Sequence, residues 1–213
     1  MKTDDLIALL ATHAGAERRP ATGAALARAV CLGLLGALAI VLAGYGLNHQ
    51  FPRVLGMPLF WMKLGMPMLV ALCAGVMAAR LARPGVPAGR AGWGIALALV
   101  VVWGVAAGQW LAAPPSARAE LLWGQTWRSC AFSIGLIALP VLVAALGALR
   151  EMAPTRLRLA GAAAGALAGG AGAAVYALHC PELSAPFIAV WYMLGMALPV
   201  ALGAWLGPRV LRW

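Results

Sequence analysis

Two thiols, an imidazole and a carboxylate are the side chains of this sequence best suited to chemistry. Cys180 stands in the segment His179-Cys180-Pro181-Glu182, and Cys130 precedes it in the chain. A thiolate beside an imidazole suits soft ions such as zinc, cadmium or copper(I), and two thiols that meet can be oxidised to a disulfide. The pattern therefore predicts either a metal-responsive or redox-responsive site at Cys130, Cys180, His179 and Glu182, or a static structural bridge or idle thiols.

Other kinds of chemistry have little support in the sequence. It contains no Gly-rich phosphate loop, no zinc-binding His-Glu-x-x-His and no nucleophile elbow. We therefore expect no catalytic residue, no enzyme activity and no cofactor beyond a transient heavy-metal ion. A transporter remains an alternative, although such proteins usually carry an acidic or histidine side chain within the membrane. A membrane thiol oxidoreductase is another, although it normally uses a close Cys-x-x-Cys pair. Cys31 and Cys73 are interpreted as small apolar packing residues.

The elements that must position these thiols follow from the composition. Of the 213 residues, 63% are hydrophobic and only 10% are charged, and the mean hydropathy is +0.89. Soluble chains average about 45–50% apolar and about 25% charged residues, so a soluble globular domain is excluded. A membrane-spanning helix needs about 20 apolar residues. Six stretches meet this length, at residues 29–47, 59–79, 91–113, 129–149, 159–178 and 186–206. The predicted fold class is an all-α integral membrane protein with six transmembrane helices.

The distribution of basic residues predicts the orientation. Twelve of the 16 Lys and Arg residues flank the stretches on the side of both termini, and such an excess marks the cytoplasmic side. Both termini are therefore expected in the cytoplasm, and the net charge of +10 reflects topology rather than nucleic-acid binding. Lys63 is the one charge within a predicted span, and we expect its long stem to carry the ammonium out to the interface.

The fourth and fifth predicted helices bring the thiols to one depth. Both helices run from a tight loop near Pro154, and Cys130 and Cys180 lie about 25 residues on either side of it. Antiparallel helices that start from one loop reach equal depth after equal numbers of residues. The two sulfurs are therefore expected close together near the outer surface, where a bridge or a shared soft ion needs only modest movement.

A row of glycines on the fifth helix predicts close helix packing. Gly161, Gly165 and Gly169 lie four residues apart on one face, and small residues let helix backbones approach closely in lipid. The contact is expected within the chain, with a homodimer through the same face as the alternative.

The N-terminal segment predicts a short amphipathic helix. Thr3 is a candidate N-cap, and two acidic residues in the first turn favour the helix dipole. An apolar stripe at helical spacing follows; it consists of Leu6, Ile7, Leu9 and Leu10, after Asp4 and Asp5. A helix of this length needs a surface to lie on, whether lipid, the bundle or a partner's groove. The predicted organisation is a cytoplasmic tail at 1–28, the bundle at 29–206 and a C-terminal tail at 207–213.

Several blocks of the sequence resemble one family. They are Met-Lys-Thr-Asp-Asp-Leu-Ile at the start, Pro58-Leu-Phe-Trp-Met-Lys63, Trp127-Arg-Ser-Cys130, Tyr176-Ala-Leu-His-Cys-Pro-Glu182 and the closing Gly207-Pro-Arg-Val-Leu-Arg-Trp213. Over nearly its whole length the chain is similar to the NrsF-type anti-sigma factors of the bacterial inner membrane.

The resemblance implies a function that the residues alone do not. It implies that the chain holds an extracytoplasmic-function sigma factor at the membrane, with Thr3, Asp4, Asp5, Leu6, Ile7, Leu9 and Leu10 in the binding segment. It also implies that the family's two outer cysteines fall on Cys130 and Cys180. A heavy metal or an oxidant that modifies this pair would then release the sigma factor.

Overall fold

The computed structural model describes residues 3–13, 22–48 and 51–212, and the regular structure in these ranges is entirely helical. The helices are α1 (Thr3–His13), α2 (Thr22–Ile40), α3 (Phe51–Val54), α4 (Pro58–Leu81), α5 (Ala91–Ala112), α6 (Pro115–Trp123), α7 (Trp127–Arg150), α8 (Leu157–Tyr176), α9 (Ala185–Phe187) and α10 (Met193–Val210). A π-helical turn, Val41–Tyr45, extends α2, and a second, Ile188–Tyr192, joins α9 to α10.

Six helical segments in the described ranges are long and apolar enough to cross a membrane, which confirms the predicted number. Their bounds differ slightly from the prediction, since the first begins at Gly23 and the last continues to Val210. The segment Arg18-Arg19-Pro20, whose proline favours the end of the N-terminal helix, lies outside the described residues.

The connections between the spans lie at two ends of the bundle. We call one the thiol end; it carries the segments 46–48, 51–57, 113–126 and 177–184. We call the other the arginine end; it carries the start of α2, the segments 82–90 and 151–156, and residues 211–212. The predicted orientation places the thiol end outside the cell and the arginine end in the cytoplasm.

The central element is α8, which packs against α10, α4 and α7. Its glycines make this packing possible. A Cβ at Gly161 would collide with the backbone oxygen of Gly203, and one at Gly165 with that of Pro199. The predicted close contact therefore forms within the chain, between α8 and α10. This glycine face is filled, so it is not available for the homodimer considered from the sequence.

We expect Gly165→Val to destabilise the bundle by about 1–3 kcal/mol or more, because the added methyl groups meet backbone that cannot move aside. Gly104→Val in α5 is the matched control, since a Cβ there meets nothing within 4 Å. Thermal unfolding of the two purified variants in detergent measures the difference. Equal melting temperatures would contradict the assigned packing.

The outer surface of the bundle is apolar. Large side chains that are at least half exposed include Leu32, Leu72, Leu97, Leu111, Phe132 and Val143. A soluble protein rarely exposes so many large apolar groups, whereas lipid tails solvate them well. Helix α1 forms as predicted, with Asp4 and Asp5 in its first turn. Its residues Leu6, Ile7 and Leu9 are exposed, at 41%, 59% and 54%.

Candidate functional site: a buried thiol pair

Cys130 and Cys180 meet at the thiol end. Cys130 lies in the first turn of α7, and Cys180 follows α8; they are 0% and 1% exposed. Both are free thiols, and the Cys130 side chain hydrogen-bonds the Cys180 sulfur. The equal count of residues from the α7–α8 loop therefore predicted this juxtaposition correctly. Cys31, which is exposed in α2, and Cys73, which is half-buried in α4, take no part in the thiol pair.

Residues 178–184, here called the thiol loop, connect α8 to α9 and are held by several other elements. The Asn48 amide donates to the carbonyl oxygen of Leu178 over 3.1 Å. The Ser184 hydroxyl donates to the carbonyl oxygen of Leu121 at the end of α6, over 2.5 Å. Directly after the loop, the Ala185 amide donates to the side-chain oxygen of Gln109 in α5, over 2.7 Å. A shift of Cys180 would therefore be felt by spans that are distant in sequence.

His179 has a structural role in this loop. Its Nδ1 lies 3.0 Å from the carbonyl oxygen of Gly46, and because a carbonyl only accepts, Nδ1 carries the proton in this contact. The ring also stacks edge-on against Tyr45, at 5.2 Å between centroids. The imidazole thus ties the thiol loop to the end of the first span rather than extending a ligand set around the sulfurs.

Lys63 contradicts the prediction made for it. Its side chain is 0% exposed and does not reach the interface. The ammonium donates to the carbonyl oxygens of Cys180, over 2.5 Å, and of Glu182, over 2.9 Å. It also lies 5.7 Å from the centroid of the Tyr192 ring. The physical reason is that the thiol loop folds over the end of α4 and offers inward-facing carbonyls, which replace the water that snorkelling would have reached.

The Glu182 side chain points away from the sulfurs. Its carboxylate accepts from the amides of Gln125, over 2.7 Å, and Thr126, over 3.2 Å, directly before α7. A negative charge is favourable at the start of a helix. Gly124 is required beside it, because its φ is +51° and a Cβ there would lie 2.6 Å from the carboxylate. Glu182 therefore links the thiol loop to the helix that carries Cys130.

We expect Glu182→Ala to lower the free energy of unfolding by about 1–3 kcal/mol, because it leaves two backbone amides without their acceptor. Glu120→Ala is the control, since that carboxylate is exposed on the neighbouring α6. Thermal unfolding in detergent compares the two variants. A Glu182→Ala variant as stable as the control would show that the carboxylate does not hold the loop.

Tyrosines enclose the thiols from α8 and the last span. Tyr176 and Tyr192 are buried, with their rings 6.0 Å apart, and the Tyr176 hydroxyl contacts the Cys130 thiol. The Tyr192 hydroxyl faces the Cys180 sulfur without a well-formed hydrogen bond to any group in the described part of the chain. A buried hydroxyl without a partner is costly, and here it is a donor placed beside a sulfur.

The surroundings favour the thiolate of Cys180. The hydrogen bond from the Cys130 thiol is the largest cause that lowers the pKa of Cys180 below its ordinary value. Burial opposes the shift, whereas the Lys63 ammonium, a backbone hydrogen bond from Glu182 and the Tyr192 hydroxyl assist it. Of the two thiols, Cys180 is therefore the one whose thiolate the structure favours. Thiolates, not thiols, are the nucleophiles and metal ligands.

The four side chains singled out from the sequence divide into two groups. The thiols of Cys130 and Cys180 come together, while His179 and Glu182 hold the thiol loop to other elements. Among the described residues, no group of three or more His, Cys, Asp or Glu side chains could hold a metal ion. Lys63, Tyr176 and Tyr192 surround the sulfurs but were not recognised as site residues from the sequence. The charge of Lys63 inside an apolar span was a usable signal; tyrosines in apolar helices carry none.

Comparison with known proteins gives concordant matches over the whole chain. The family model NrsF, described as "Negative regulator of sigma F", matches residues 10–213. A protein of Azospira oryzae described as "Probable anti-sigma-F factor NrsF" is 43% identical over 215 aligned positions that cover all of both chains. A protein of Caulobacter vibrioides described as "Anti-sigma-F factor NrsF" is 40% identical over 215 positions, again with full coverage of both. No solved structure matches.

Proposed function

The chain belongs to the NrsF family of negative regulators of sigma F, and on this premise we propose that it is an anti-sigma factor of the bacterial inner membrane that sequesters an extracytoplasmic-function sigma factor. The observation that carries the proposal is the full-length similarity to two proteins described as anti-sigma factors. A regulator of this kind works by binding rather than by catalysis.

Helix α1 is the proposed binding element. Its apolar residues Leu6, Ile7 and Leu9 are exposed, beside acidic residues in the first turn. An amphipathic helix with such a face fits an apolar groove in a partner. A sigma factor held by α1 at the arginine end would be kept from the polymerase, with both termini in the cytoplasm.

The thiol pair is the proposed sensor at the opposite end. Oxidation of Cys130 and Cys180 to a disulfide would pull the thiol loop against α7. That loop is bonded to α4 through Lys63 and to α5 through Gln109. A signal must favour one of two bundle arrangements that bind the sigma factor differently. Moving the population from 1:99 to 99:1 requires about 5.5 kcal/mol of differential stabilisation.

We propose that the signal is an oxidant rather than a heavy metal. The two sulfurs can form a bridge with no further group, whereas His179 and Glu182 are already bonded elsewhere. A soft ion would have to complete its coordination from outside the described residues. Family membership favours regulation over the transporter and the thiol oxidoreductase considered from the sequence.

Affinity capture from native membranes tests the proposal. The tagged full chain should recover a sigma factor from untreated cells, and should recover less of it after oxidant treatment. Capture without any sigma factor would refute the anti-sigma role. Unchanged recovery after treatment with an oxidant or with cadmium would refute the sensor role alone.

A further inference from the structure

Lys63 is a buried cation whose hydrogen bonds go to neutral carbonyl oxygens. Its side chain is fully buried in α4, in a span otherwise free of charge until Arg80 near its other end. A charge at membrane depth is costly and usually functional. A buried charge without compensation is strongly destabilising. The residues around Lys63 must therefore explain why a charge is kept at this place.

The Glu182 carboxylate interacts with Lys63 more weakly than Cys180 does. It is the backbone oxygen of Glu182 that meets Lys63, while its carboxylate is bonded to Gln125 and Thr126. The carbonyl of Cys180, which also accepts from Lys63, carries only a partial charge. The Cys180 sulfur interacts with the same ammonium and is able to carry a full negative charge.

A second donor is aimed at the same sulfur. The Tyr192 hydroxyl is fully buried, lacks a well-formed hydrogen bond within the described ranges and faces Cys180. Cys130 is placed differently: the Lys63 ammonium acts on it more weakly than on Cys180, and its hydrogen-bond partners are the Cys180 sulfur and the Tyr176 hydroxyl. The two thiols therefore lie together but differ in their hydrogen-bond partners and in the strength of their interaction with Lys63.

We propose that Lys63 is a positioning residue that makes Cys180 the attacking sulfur of the pair and leaves Cys130 as the resolving sulfur. This proposal rests on the sensor role of the thiol pair proposed above and adds which of the two sulfurs reacts first.

The oxidant is a hydroperoxide. The Cys180 thiolate attacks its terminal oxygen, the O–O bond breaks, and the departing oxyanion takes a proton from water, leaving a sulfenic acid on Cys180. The Cys130 sulfur then attacks that sulfur, the S–S bond forms, the S–O bond breaks, and the hydroxyl leaves as water with the Cys130 proton.

The same arrangement explains how oxidation would be felt by the bundle. Once the disulfide forms, Cys180 no longer carries negative charge, and Lys63 is left with the two carbonyls and the Tyr192 ring, none of which is an anion. The buried ammonium then favours any arrangement that admits water or an anion. The thiol loop that covers Lys63 is the element that has to move.

The test uses the purified full-length chain in lipid nanodiscs, with Cys31 and Cys73 replaced by serine and hydrogen peroxide as the probe. Peptide mass spectrometry follows oxygen addition and disulfide formation, independently of any sigma factor. With Cys130→Ser, Cys180 should gain oxygen. With Cys180→Ser, Cys130 should stay a thiol at the same dose. Equal oxidation of either sulfur in these variants would overturn the assignment.

Substitutions at Lys63 test whether its positive charge speeds the oxidation of Cys180. Lys63→Met should slow oxidation of Cys180 at pH 7 about tenfold, because burial then opposes the thiolate with no cation to offset it, although the Cys130 and Tyr192 donors remain. Its rate should rise steeply between pH 7 and 9, while that of the parent stays nearly flat. Lys63→Arg should restore the parent's profile, and Lys63→Gln, which keeps a donor without the charge, should not.

The results that would contradict the role of Lys63 differ from those that would contradict the anti-sigma function. A Lys63→Gln variant with the parent's rate and pH profile would overturn the role of the charge, even if Lys63→Met does not fold. Lys63 should also become reactive toward a water-soluble acylating reagent after the disulfide forms in the parent. Continued protection of Lys63 after full oxidation would contradict the movement of the thiol loop.

Discussion

Replacing Leu6 and Ile7 by alanine should weaken binding of the sigma factor by about a hundredfold or more. Both side chains are exposed on α1, and burying one large aliphatic side chain contributes about 1.5–3 kcal/mol. Losing most of that contribution twice amounts to about 3 kcal/mol, and each 1.4 kcal/mol is about tenfold in affinity. Titration of the nanodisc-embedded chain with the captured sigma factor measures the change.

The control substitution removes a similar apolar area from a helix that is expected to face lipid. Leu32 and Leu35 of α2 are also exposed, at 69% and 64%, but they belong to a membrane-spanning segment. Leu32→Ala with Leu35→Ala should bind the sigma factor with unchanged affinity. If the α1 variant binds as tightly as this control, the partner is held by another part of the arginine end.

Replacing either Cys130 or Cys180 by serine should abolish induction by peroxide altogether. A serine hydroxyl cannot form a disulfide, so the remaining cysteine of the pair has no sulfur with which to form the bond. The expected result is therefore the loss of the whole induced response, not a graded reduction. The ratio of reporter expression with and without peroxide, from a promoter that depends on the sigma factor, measures it.

Cys31 and Cys73 provide matched controls for that experiment. Both lie in membrane-spanning helices, away from the thiol pair. Cys31→Ser and Cys73→Ser should leave the induction ratio as it is. Full induction in both the Cys130 and the Cys180 variant would remove the pair from the sensing step. Induction by cadmium but not by peroxide in the unmodified chain would mean that a metal, rather than an oxidant, is the signal.

Features that depend on apolar length, helical spacing or residue counts along a helix were predictable from the sequence. The six spans follow from lengths of apolar sequence that only lipid can solvate, and the structure confirms their number. The glycines of α8 pack as predicted because a Cβ is excluded wherever two helix backbones touch. The meeting of Cys130 and Cys180 could be counted from one loop, because helical rise per residue is nearly constant.

The surroundings of the thiols were decided by tertiary structure alone. Nothing near Lys63 in sequence indicates that residues 180 and 182 will turn their carbonyls toward it, so a rule for isolated helices placed its charge at the interface. His179 and Glu182 stand beside Cys180 in the chain, yet their side chains bond to Gly46 and to the start of α7. Spans and helix faces depend on local periodicity, which the sequence carries directly. The partners of a loop depend on which distant backbone groups lack hydrogen bonds after the helices have packed, and only the folded chain determines that.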